Sequence, residues 1–181
     1  MGDDMPAGRR NPVLMDASSA IILFKCSFFE PVIKYFNIIM AESVYSEITR
    51  EDREGAGAFI CFRKEERIHI HDYAEKKDCS QGQFQPLKGL GSGERDTIRL
   101  YQMGIGDMII LDDGKGASYC KKNDIPFINS LLVPRILHLG GLIGKEERNS
   151  AMKCIMTYGR YSTKIIEYAY GCGDETLAGF L

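Results

Sequence analysis

Met108-Ile109-Ile110-Leu111-Asp112-Asp113-Gly114 sets four apolar residues against two acids and a glycine. An apolar run without polar interruption is the pattern of a strand covered on both faces, as in a parallel sheet. Both carboxylates then fall at the strand exit, where an open α/β sheet leaves its ligand crevice. Asp-Asp-Gly is also a turn sequence in its own right. The same grammar occurs near the start of the chain. Val13-Leu14-Met15 ends in Asp16, and a helical pattern follows over Ala17–Cys26, with Ser18 or Ser19 available as cap. An Asp in this place is equally a common cap for the helix behind it.

Working outward, Ile38-Ile39-Met40, Ile68-His69-Ile70-His71 and Pro126-Phe127-Ile128 read as the second, third and fifth strands, with Val13–Met15 first and Met108–Leu111 fourth. Helical patterns lie between them, over Val32–Phe36 after an interruption at Pro31, then Glu42–Arg50, Gly55–Glu65, Gly91–Met103 and Lys115–Asn123. Three more follow, Leu131–Leu139, Lys145–Tyr158 and Ser162–Tyr170, the last two expected to pack on the main body. Short apolar runs alternating with helices predict the α/β class, with a parallel sheet between helical layers. Residues 1–11 are polar with Gly and Pro and read as a flexible leader, leaving 12–181 as one domain. Tyr73–Gly89 is polar and irregular and reads as a loop.

The 181 residues are 44% hydrophobic and 27% charged, ordinary for a globule that needs no disulfides. A net charge of -2 excludes binding of nucleic acid by overall charge, so any such binding rests on a local basic patch or on metal ions. The six cysteines form no CxxC or CxxH pair, which argues against zinc. Cys26, Cys61 and Cys154 sit in apolar stretches and read as small core residues. Neither a secretory leader nor an apolar run of membrane-spanning length is visible, so a cytoplasmic protein is expected, with no membrane partner.

Two further acids, Glu47 and Glu94, lie between Asp16 and Asp112, each read at the start of a helical pattern. Carboxylates converging on one crevice repel one another and raise their own pKa values unless a cation relieves them. Hard oxygen ligands favour Mg2+ or Mn2+ over zinc, and such ions polarise phosphates and acidify bound water. Each acid also has a plainer reading. Glu94 gains from the helix dipole in a first turn, and Glu47 fits a solvated helix face. His69 and His71 share one strand face and fit either a metal pair or an edge strand. Gly91-Ser92-Gly93 suits a phosphate cradle or merely a tight turn. Lys145, Arg148, Lys153, Arg160 and Lys164 make the C-terminal helices basic, chiefly as a solvated face, with RNA contact as the alternative.

From Pro12 to Tyr170 the chain resembles PIN-domain proteins, small metal-dependent ribonucleases that include the toxins of VapBC toxin–antitoxin systems. The opening strand with Asp16-Ala17-Ser18-Ser19 is similar to the family's first motif, and Glu42-Ser43-Val44-Tyr45-Ser46-Glu47-Ile48 to its second. Gly91-Ser92-Gly93-Glu94 resembles the third motif in the subgroup that uses a Gly-Glu pair. Ile110-Leu111-Asp112-Asp113 with Ile125–Ser130 resembles the fourth, and Gly159-Arg160-Tyr161-Ser162 that subgroup's tail. The resemblance implies a three-layer α/β/α fold with a central parallel sheet of about five strands. It implies Mg2+ or Mn2+ held by Asp16, Glu47, Glu94 and Asp112, with Asp113 as a further ligand and Ser18 hydrogen-bonding nearby.

The implied activity is hydrolysis of RNA phosphodiesters by a metal-activated water. The implied partners are an RNA substrate, a second copy of the chain and, for a toxin, an antitoxin that places Arg or Lys in the acidic crevice. Asp96, two residues after Glu94, is an alternative third acid within the same helical turn. The chain departs from the subgroup where an Ala-Arg pair follows the two acids, because Gly116 and Ala117 stand there. A catalytically weak PIN-like scaffold is therefore the competing function. A phosphoacceptor receiver domain fits less well, since it needs an acidic pair after the first strand and the chain has Asp16 alone.

Overall fold

The computed structural model describes residues 11–72 and 87–180. Most of the expected leader, and the expected loop up to residue 86, lie outside the described residues. Strand and helix alternate as β1 Pro12–Met15, α1 Ala17–Lys25, α2 Phe29–Tyr35, β2 Asn37–Ala41, α3 Glu42–Ile48, α4 Ala56–Lys64 and β3 His69–His71. There follow α5 Ser92–Gln102, β4 Met108–Ile110, α6 Gly114–Lys122 and β5 Phe127–Ile128. The chain closes with α7 Val133–Leu139, α8 Lys145–Tyr158, α9 Thr163–Gly171 and α10 Asp174–Ala178.

The five strands are all parallel, in the order β3-β2-β1-β4-β5. Val13, Leu14, Met15, Ile38, Met40, Ile109 and Ile110 are buried, as strands covered on both faces require. The chain builds outward from β1 to β3, then crosses back and builds the other way through β4 and β5. With the right-handed crossovers that parallel strands adopt, such a reversal puts helices on both faces of the sheet. The result is the three-layer α/β/α fold, with β1 at its centre.

Four points differ from expectation. Pro31 does not interrupt a helix but sits in the first turn of α2, where its missing N–H has no partner to lose. Glu47 lies in the last turn of α3, not at its start. Cys61 is exposed and Cys26 and Cys154 are half-buried, whereas Cys120 on α6 is buried. The short α10 follows the expected helices and buries Leu177. Arg135 on α7 ties this C-terminal part to the body, donating to the Ala169 carbonyl at 2.8 Å and pairing with Asp174 at 2.7 Å.

Phe24, Phe29, Phe59 and Phe62 pack ring against ring where α4 meets α1 and α2, tilted, edge-on and, for Phe29 with Phe62, stacked. The chain enters α4 through Gly55, which has φ +88°, and a Cβ there would lie 2.4 Å from the Phe24 ring. Gly55→Ala therefore combines a left-handed backbone with a collision. It is expected to destabilise the protein by about 2 kcal/mol, read as a lower denaturant midpoint at unchanged slope.

Candidate functional site

The sheet order reverses between β1 and β4, which makes their shared exit the topological switch point where open α/β sheets bind ligands. The register pairs Met15 with Ile110, and the Asp16 N–H continues the ladder to the Ile110 carbonyl at 3.2 Å. Asp16 and Asp112 thus leave adjacent strands side by side. Asp16 is also the cap of α1: its Oδ1 accepts the Ser19 N–H at 2.9 Å, and its Oδ2 accepts the Ser18 hydroxyl at 2.5 Å. The cap bond fixes this carboxylate at the exit of β1, beside Asp112. Only 3% of Asp16 is exposed. Burial, and after it the charge of Asp112, push its pKa up to about 7, against the hydrogen bonds from Ser18 and Ser19.

Asp112 is held by four donors from three parts of the chain. Its Oδ2 accepts the Ser19 hydroxyl at 2.8 Å and the Ser130 hydroxyl. Its Oδ1 accepts the Ser130 N–H at 3.1 Å and the Tyr161 phenol at 2.6 Å. A carboxylate has about four acceptor positions, so all are used. Tyr161 keeps its proton for this bond, because burial and then the charge of Asp112 hold the phenol well above its ordinary pKa. Ser19 donates through its N–H to Asp16 and through its hydroxyl to Asp112, and so stands between the two acids.

A second acid pair adjoins the first. Asp113 caps α6, accepting the N–H groups of Lys115 at 2.7 Å and Gly116 at 3.2 Å, and Glu94 hydrogen-bonds to it. Burial raises Glu94, and its hydrogen bond with Asp113 raises it further. For Asp113 burial acts upward too, but the bonds from Glu94, Lys115 and Gly116 prevail and lower it. The two carboxyls of this pair are thus shifted in opposite directions, Glu94 upward and Asp113 downward. Lys115 acts as a positive charge on both.

Glu94 also folds back to accept the Gly91 N–H at 3.0 Å, so the glycine pair makes a helix entry here. Gly93 has a packing reason: a Cβ would lie 3.1 Å from Val44 Cγ2, so its absence lets α5 approach α3. That approach brings Glu47 near Gly93, but Glu47 is turned to Arg53 at 3.8 Å and stays partly exposed. Asp96 takes the Ser43 hydroxyl at 2.7 Å and pairs with Arg99 at 3.4 Å, which joins α5 to α3. The structure thus separates Glu94, beside Asp113, from Asp96. Among the described residues, no three His, Cys, Asp or Glu side chains stand together as a metal-holding group. The acids meet as two pairs, with Glu47 apart.

Ser19, Ser130 and Tyr161 are the contributors that the acid pattern missed. The hydroxyls lie 93, 18 and 49 positions from Asp112, and no local spacing announces such bonds. His69 and His71 lie on β3, an edge strand. Lys145, Lys153, Arg160 and Lys164 are exposed, as a solvated face requires. No helix among the described residues is long and apolar enough to cross a membrane.

A parallel sheet whose order reverses between two acid-bearing strands has the layout of a nuclease-like α/β/α domain. The match reaches across nearly the whole chain: residues 12–168 fit the DUF3368 family model, a PIN domain, and the chain belongs to that family. No curated protein and no solved structure matches it.

Proposed function

We propose that the protein is a metal-dependent ribonuclease that hydrolyses RNA phosphodiester bonds. In this reading Mg2+ or Mn2+ is held at Asp16 and Asp112, and Asp113 supplies a further oxygen. Glu47 and Glu94 complete the site or orient the attacking water. The observation that carries it is the buried Asp16 carboxylate kept beside Asp112 at the switch point, with its pKa pushed up to about 7. Two acids in such a place repel each other, and an all-oxygen donor set suits a hard divalent cation. The bound cation would supply charge for the phosphate and a more acidic water.

The chain's own part is positioning. Ser18 and Ser19 hold Asp16, while Ser130 and Tyr161 hold Asp112. Glu94, its pKa raised by burial and by its hydrogen bond with Asp113, lies next to the centre. Arg160 and Lys164, exposed beside Tyr161, offer charge to an RNA backbone. The finer role that fits is the toxin of a toxin–antitoxin pair, acting as a homodimer and blocked by an antitoxin Arg or Lys in the acid crevice.

A second reading, a catalytically weak binding or scaffold module, draws on Ala117 in place of the subgroup's arginine and on the separation of Glu47 from the pairs. Cleavage of a mixed RNA panel with Mn2+ or Mg2+, against EDTA and Asp16→Asn, decides between them. We expect metal-dependent cutting that the variant loses while it remains folded. Absence of both cutting and calorimetric Mn2+ binding would favour the scaffold.

A further inference from the structure

Tyr161 lies outside every acid motif, in the turn between α8 and α9, yet its phenol reaches the Asp112 carboxylate at 2.6 Å. The two Asp112 oxygens face different ways. Oδ2 takes the hydroxyl of Ser19, the residue that stands between the two acids, so this oxygen is the one turned toward Asp16. Oδ1 takes instead the Tyr161 phenol and the Ser130 N–H. A cation shared by the two acids would take the position that the Ser19 hydroxyl fills on Oδ2, because all four acceptor positions are occupied and this one faces the gap. The bonds on Oδ1 need not break.

A second feature fixes the phenol. Gly159, the residue after α8, lies under the Tyr161 ring, and a Cβ there would be 2.2 Å from Cε2. Its backbone has φ −85°, so alanine is conformationally acceptable and only the ring has to move. The lack of a side chain at 159 is what seats Tyr161.

Resting on the metal-dependent reading above, we propose that Tyr161 is a positioning residue. It holds Asp112 by Oδ1 so that Oδ2 faces Asp16, and through Gly159 it makes the C-terminal helices part of the cation site. Groups that orient a ligating carboxylate are worth about 10–100-fold in metal affinity.

The test is calorimetric Mn2+ binding to the full chain, wild type against Tyr161→Phe and Gly159→Ala, with Tyr168→Phe as an exposed control and melting curves in EDTA throughout. Tyr161→Phe is expected to weaken Mn2+ binding about tenfold while still melting cooperatively. Gly159→Ala, which keeps the hydroxyl but displaces its ring, is expected to reproduce that loss, and Tyr168→Phe to match wild type. Unchanged or tighter Mn2+ binding by Tyr161→Phe would overturn the proposal, the latter by showing that the phenol competes with the cation. Mn2+ binding absent from wild type and both site variants would overturn the underlying metal reading as well, a result distinct from binding that ignores Tyr161.

Discussion

Asp16→Asn is expected to raise the melting temperature of the metal-free protein at pH 8 while abolishing its response to Mn2+. Asp16 titrates at about 7 in the folded chain and near 3.8 in the unfolded one. Between those values the folded state binds the extra proton. The contribution of Asp16 to stability is therefore fullest below pH 3.8 and declines as pH rises to about 7. The full loss is about 4 kcal/mol, or roughly 10 °C for a domain of this size. Asparagine removes the charge and keeps the cap, since its side-chain oxygen still accepts the Ser19 N–H. Melting curves in EDTA between pH 4 and 8 should show wild type falling relative to the variant, the two diverging most above pH 7. Parallel curves would show that Asp16 is not held against its own charge. Adding Mn2+ at pH 8 should then raise wild type by mass action and leave the variant unmoved.

Asp112→Ala is expected to act with the opposite sign. Removing this carboxylate strands the Ser19, Ser130 and Tyr161 hydroxyls and the Ser130 N–H, which converge on it. Ser19 and Ser130 are fully buried. Stranded buried donors cost about 1–3 kcal/mol each, less where water enters the space left. A net loss of about 3 kcal/mol, near 10 °C in melting temperature, is expected without metal. Asp112→Asn, which retains one acceptor oxygen, should fall between alanine and wild type. An alanine variant as stable as wild type would mean that these donors have other partners. The two neighbouring acids thus make an internally controlled pair: neutralising one relieves the fold, and deleting the other opens a hole in its hydrogen bonding.

What could be read from the chain alone was whatever is local. Apolar runs ended by acids placed β1 and β4, and with them Asp16 and Asp112, because strand burial and strand exit are written in consecutive residues. The bounds of α8 were legible for the same reason. Pro31 sits elsewhere than expected because a proline in a first helical turn and one between helices look alike without the cap geometry. Glu47 rides in the last turn of α3 because the helix that starts at Glu42 ends at Ile48, short of the expected Arg50. Glu94 and Asp96 were indistinguishable until α3 supplied Ser43 to one and α6 supplied Asp113 to the other. Least legible were the hydroxyls on Asp112, which depend on where distant segments end up.

That wide spread of donors has a consequence for the order in which the protein is made. Asp16 leaves the ribosome first, its neighbour Asp112 follows almost a hundred residues later, Ser130 after that and Tyr161 later still. A nascent chain therefore carries the first acid long before anything holds the second in place. Under the ribonuclease reading proposed above this is built-in timing: the acid centre is complete only after Tyr161 has been made.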